Sequence, residues 1–188
     1  MSRCRRLLQL PALPPTLCQL LCEGCSAPEE LPSSLSSTAA SELNCRGCGR
    51  LKELPQLPLS LVHLDVAECS KLRNKLPALP PILEQLDVSS CSTLRALPAL
   101  PPTLCYLRCQ GCSALEELPS SVSSTAVSEH NCRDCHRLKG LPQLPLSMMV
   151  LYVGGCIKLR DLPALPQSIT HLAARNCPDL AEVSFSFY

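Results

Sequence analysis

Apolar residues recur in one short pattern along almost the whole chain, seen most clearly at Leu83-Glu84-Gln85-Leu86-Asp87-Val88-Ser89-Ser90-Cys91-Ser92-Thr93-Leu94. The Leu86/Val88 alternation predicts a strand of roughly three to five residues with one buried face. The stretch before it, Leu76-Pro77-Ala78-Leu79-Pro80-Pro81, cannot be helical. Proline lacks an amide donor and pushes the residue before it out of the α region, so this half should be extended, with a 3-10 turn.

Leu-Pro opens such a unit at Leu10, Leu31, Leu54, Leu76, Leu97, Leu118, Leu141 and Leu162, at spacings of 21, 23, 22, 21, 21, 23 and 21 residues. A fixed period of this length marks stacked supersecondary units. Each unit reads L-P-x-L-P-x-S-L-x-x-L-x-V-x-x-C-x-x-L, with a strand side and a proline-rich side whose leucines point between them. Stacking pairs the strands into a parallel sheet and buries a continuous leucine column that no single unit could bury. Residues 10 to 60 also match residues 97 to 147 at 41 of 51 positions, so a four-unit block has been duplicated. The expectation is a single solenoid domain over residues 1–188.

Composition agrees with this layout. Leu (38), Pro (19) and Cys (15) together make up 72 residues, Trp is absent, and Phe and Tyr number only five, so leucine and small residues must supply the core volume. A net charge of +1 gives no broad field for nucleic acid or anionic membranes, and prolines interrupt every apolar run before it reaches spanning length. Ser2 to Arg6 followed by Leu7 and Leu8 imitates a secretory signal. The stretch from Leu10 reappears at Leu97, where it cannot be one.

The motif Leu61-x-x-Leu64-x-Val66-x-x-Cys69-x-x-Leu72 resembles that of leucine-rich-repeat proteins. The resemblance implies a right-handed superhelix with a concave parallel sheet and a proline-rich convex side. Leu97-Pro98-Ala99-Leu100-Pro101-Pro102-Thr103-Leu104 is similar to two subgroups, the plant intracellular disease-resistance receptors and the LP-rich bacterial secreted effectors. Cysteine at the ladder position looks more like the plant group, since the bacterial group generally carries Asn there. That likeness implies a non-enzymatic recognition segment of a cytoplasmic receptor in plant defence, without cofactor, binding a protein or peptide.

Cys25, Cys48, Cys69, Cys91, Cys112, Cys135, Cys156 and Cys177 form the ladder. A thiol there is a small buried group with a weak donor for the turn backbone. Cys22, Cys45, Cys109 and Cys132 sit three residues earlier and make Cys-x-x-Cys four times, which in isolation is a zinc pattern. The same slot holds Val66, Val88, Val153 and Ala174 in the other units, so packing is the simpler account. Redox catalysis would need a thiolate-stabilising environment that a leucine-packed thiol lacks. Cys18 and Cys105 fall on outward positions and should be accessible. Cys132-Arg133-Asp134 matches the Cys-x-Asp signature of the ubiquitin-ligase domains joined to some bacterial repeat effectors, but lies inside a repeat.

Strand positions flanking the inward leucines should face the concave side in three columns, over roughly 34 Å of sheet. Tyr106, Arg108 and Tyr152 are the leading binding candidates because Tyr and Arg predominate among binding anchors; Asp65, Asp87 and His63 share the face. His130 stands where the duplicated block has Leu43. The Ser-rich segments 33–37 and 120–124 should be convex loops in the two 23-residue units. Residues 181–188, alternating apolar and polar, are a candidate C-terminal cap. The thin N-terminal end points to a fragment or to self-association through uncapped ends.

Overall fold

The computed structural model describes residues 9–25, 28–73 and 76–180. The signal-like start and the candidate cap at 181–188 lie outside the described residues. Eight three-residue strands, β1 (Gln19–Leu21), β2 (Glu42–Asn44), β3 (His63–Asp65), β4 (Gln85–Asp87), β5 (Tyr106–Arg108), β6 (Glu129–Asn131), β7 (Val150–Tyr152) and β8 (His171–Ala173), form one parallel sheet in chain order. Each strand comes from one sequence unit, and no described strand is skipped or crossed.

The register is uniform. Gln85 pairs with Tyr106, Leu86 with Leu107 and Asp87 with Arg108, and the same three-way correspondence holds at all seven junctions. Every middle residue therefore points inward: Leu20, Leu43, Leu64, Leu86, Leu107, His130, Leu151 and Leu172 share one column, of which only Leu172 in β8 is not fully enclosed. Fully burying a leucine contributes about 1.5–3 kcal/mol, so the column and the flanking Leu51, Leu72, Leu94, Leu115, Leu138 and Leu159 hold the coils together.

After each strand the chain turns through a left-handed residue. Gly24, Gly47, Glu68, Ser90, Gly111, Asp134, Gly155 and Asn176 all have φ between 58° and 77°, and each immediately precedes a ladder cysteine. Their amides extend the ladder past the strand, as in Glu68 N–H to the Ser89 carbonyl (2.7 Å) and Ser90 N–H to the Gln110 carbonyl (2.7 Å). On the way into the strand, the Ser or Thr of the unit donates one coil back: Ser60 to the Ala40 carbonyl (2.9 Å), Ser147 to Val127 (3.0 Å) and Thr103 to Leu83 (2.8 Å).

The proline-rich half is extended as expected, joined across coils by isolated bridges such as Ala96 with Glu117 and by hydrogen bonds such as Leu100 N–H to Ser121 Oγ at 2.8 Å. The Ser-rich segments are a correction. Ser33–Ser37 and Ser120–Ser124 are 3-10 helices, each entered from an extended proline and anchored by one buried apolar residue, Leu35 or Val122. Serine-rich composition pointed to loops; a single inward side chain and a 3-10 hydrogen bond, Leu35 N–H to the Pro32 carbonyl, order them.

Candidate functional site

The ladder thiols do structural work. Each of seven ladder cysteines points its sulfur at a carbonyl of the preceding coil, at 3.0–3.1 Å: Cys48 to Cys22, Cys69 to Cys45, Cys91 to Val66, Cys112 to Val88, Cys135 to Cys109, Cys156 to Cys132 and Cys177 to Val153. Cys25 is likewise buried. Burial pushes the Cys69 and Cys112 thiols up to about 12 and Cys91 up as well. Among the earlier cysteines, contact with a neighbouring thiol and then burial hold Cys45, Cys109 and Cys132 protonated. Among the described residues, no three His, Cys, Asp or Glu side chains converge as metal ligands would.

The accessibility expectation holds with two exceptions. Cys18 is exposed, but Cys105 is half-buried, its thiol turned to the Thr103 carbonyl at 3.3 Å. Cys177, assigned to the buried set, is also only half-buried, because its coil is the last of the described ones.

The sheet places the expected outward residues in register. Gln19, Glu42, His63, Gln85, Tyr106, Glu129, Val150 and His171 form the first column; Leu21, Asn44, Asp65, Asp87, Arg108, Asn131, Tyr152 and Ala173 form the second. Five of the six concave-face candidates converge: His63, Asp65, Asp87, Tyr106 and Arg108, with Glu42, Asn44 and Gln85, line a concave depression of about 460 Å³. Tyr106 is 51% exposed, which leaves about half of its surface free for contact. Tyr152 stands apart, with the Arg133 guanidinium 4.1 Å from its ring centroid. The third column, two residues past each strand, is closed at Ala67, which is buried in the turn.

Asp65 and Asp87 have a second role that periodicity alone missed. Each accepts a hydrogen bond from the amide two residues on, Asp65 from Ala67 and Asp87 from Ser89, both at 2.9 Å; Asn44 and Asn131 do the same for Arg46 and Arg133. An Asx turn of this kind fixes the chain as it leaves the strand. The signal was visible as Asn or Asp recurring at one slot. Burial raises the Asp65 carboxyl above its ordinary value, against the Ala67 amide, while Asp87 adds repulsion. Arg46 lies across both carboxylates at 4.0 Å and pairs with Glu68 at 2.7 Å.

His130 fills a leucine slot of the inward column. It is fully buried, its Nε2 lies 3.9 Å from the Cys109 sulfur, and its Nδ1 has no partner.

No protein-family model matches the chain, and no curated protein matches it. Among solved structures it is similar to YopM from Yersinia enterocolitica WA-314, with a TM-score of 0.64 and 33% identity over 89% of this chain and 35% of that one. The chain thus spans about a third of the length of YopM.

Proposed function

Since this chain is a leucine-rich-repeat protein, we propose that it works by binding rather than by catalysis, holding a protein or peptide against the concave depression of β2 to β5. The observation that carries this is the convergence of His63, Asp65, Asp87, Tyr106 and Arg108, contributed by three strands, in one open cavity. The half-buried carboxylates of Asp65 and Asp87 favour a cationic side chain on the partner. Arg108 favours a neighbouring acidic group, and Tyr106 supplies apolar area at low entropic cost. Photo-crosslinkers placed at Gln85 and, as a control, at the exposed convex Gln167 test the face. The partner should be captured from position 85; equal capture from 167 would remove the concave assignment.

As a finer proposal, the chain is the ligand-sensing segment of an innate-immune receptor of the plant intracellular type. The thiol ladder and the LP-rich convex half support it. Thiols used as hydrogen-bond donors also favour a reducing compartment such as the cytoplasm. The likeness to YopM favours a second reading, a repeat scaffold of the bacterial-effector type. The flanking reading frame decides between them, a nucleotide-binding domain upstream supporting the receptor.

A further inference from the structure

On the turn edge of the solenoid, away from the concave residues, a second cavity of about 380 Å³ opens across the third to sixth units. It is lined by Arg73, Arg95 and Arg137 with Ser92, Thr93 and Ser113. These positions follow the ladder cysteines, where the chain leaves the turn. Arg73 and Arg95 succeed the buried Leu72 and Leu94, which fixes both guanidinium stems on the outer side of the same edge.

The charge here is only weakly compensated. Three other cations on this edge are engaged, Arg50 and Lys52 with Glu29 at 2.8 and 2.5 Å and Lys139 with Glu116 at 2.8 Å. Among the described residues, Arg73, Arg95 and Arg137 have no ion-pair partner within 4.0 Å, and the Ser92 and Ser113 hydroxyls have no hydrogen-bond partner. The Glu116 carboxylate lies nearby, held below its ordinary pKa first by Lys139 and more weakly by Arg137 and Arg95. Thr93 donates inward to the Leu72 carbonyl at 2.7 Å, so it shapes the floor.

We infer that this cavity is an anion site for a phosphomonoester carried by a protein partner, a phosphoserine or phosphothreonine side chain. Planar guanidinium forks and hydroxyl donors match the tetrahedral oxygens of a phosphate, and three such cations suit a dianion better than a carboxylate. A nucleic-acid track does not fit this edge. Only three arginines gather in the cavity, the net charge is only +1, and no aromatic residue lines the cavity to stack a base. An anionic membrane would want a flat, uniformly basic or apolar face, whereas Glu29 and Glu116 interrupt this edge by pairing with Arg50, Lys52 and Lys139.

The site is independent of the concave depression, so the two can be tested apart. The full chain is titrated against a fluorescein-labelled Gly-Ala-phosphoserine-Ala-Gly peptide, its serine counterpart, inorganic phosphate as competitor, oligouridylate, and phosphatidylserine vesicles. The phosphopeptide should bind at least about tenfold more tightly than the serine peptide, and inorganic phosphate should displace it. Arg95→Gln and Arg73→Gln should each weaken it by about tenfold, with unchanged circular dichroism since both side chains are exposed. Glu116→Gln should tighten it, and Tyr106→Ala should leave it alone. Equal binding of the two peptides, insensitivity to Arg95→Gln, displacement by phosphate without peptide discrimination, or preference for oligouridylate or vesicles would each overturn the proposal.

Discussion

The guanidinium of Arg133 sits 4.1 Å from the ring centroid of Tyr152, one strand over and one turn on. The pair joins the sixth and seventh coils on the concave side, so Tyr152 is less a free anchor than a partner already engaged by its neighbour. A cation over an aromatic face at a partly exposed site contributes about 0.5–1 kcal/mol. A double-mutant cycle of Arg133→Ala and Tyr152→Leu, read by chemical denaturation, should return a coupling of about that size. Purely additive single effects would show the contact to be incidental.

The left-handed turn residues give a stability series. Glycine occupies four of the eight positions, while Ser90 and Asp134 hold φ of 60° and 59° against the preference of an L side chain. Ser90→Gly and Asp134→Gly should each stabilise the chain by up to about 1 kcal/mol in urea unfolding, since the strain relieved exceeds the added unfolded-state entropy. Gly155→Ala should do the opposite, because φ is 77° and a Cβ there would overlap Asp134 Oδ1.

The thiol ladder predicts a cost for truncation in the middle of the array. Cys91→Ala removes the donor to the Val66 carbonyl and leaves a void beside Leu94, so it should cost about 1–3 kcal/mol. Cys18→Ala, at an exposed thiol, should be near neutral. Loss of comparable stability in both variants would remove the ladder's structural role.

Native thiol labelling should separate the same two classes. Cys18 should react at once, Cys105 and Cys177 more slowly, and the eleven buried described cysteines only on unfolding. Rapid native reaction of twelve or more of the fifteen would contradict the packing.

His130 builds in a pH dependence. Burial, only partly offset by the Leu107 backbone, lowers its pKa to about 4. Above about pH 6.5 the imidazole is neutral in folded and unfolded chains alike and adds no slope. As pH falls from 6.5 towards 4, the unfolded chain takes up a proton that the folded chain refuses, so stability drops by about 3 kcal/mol in total. His130→Leu, restoring the residue of the duplicated block, should abolish that part of the slope. Parallel stability curves for the two proteins between pH 4 and 6.5 would show the histidine to be solvated.

The solenoid was legible because one period controls it. Once Leu86 and Val88 are placed inward, the register carries Gln85 and Asp87 to the outside at every coil, and the concave columns follow. Short-range chemistry was harder to see. The dual role of Asp65 depends on its own amide two residues later, and the left-handed turn is hidden by Glu68 and Asn176, which do not announce positive φ as glycine does. The engagement of Tyr152 by Arg133 depends on side-chain direction, which alternation does not supply. The arginine cavity escaped notice for another reason: Arg73, Arg95 and Arg137 occupy two different slots of the repeat, so no single column displays them.

The ladder-thiol, strand-entry hydroxyl and left-handed-turn amide bonds all reach only to an adjacent coil, across 20 to 26 residues of sequence. Contact range is therefore a property of the unit and does not lengthen as the chain grows. The β4–β5 junction, where the first copy of the block meets the second, uses the same register and the same thiol bond, Cys112 to Val88, as junctions inside a copy. A whole 87-residue segment could thus be spliced into the lattice with no interface to invent, and the molecule could gain reach without slower loop closure or a redesigned core.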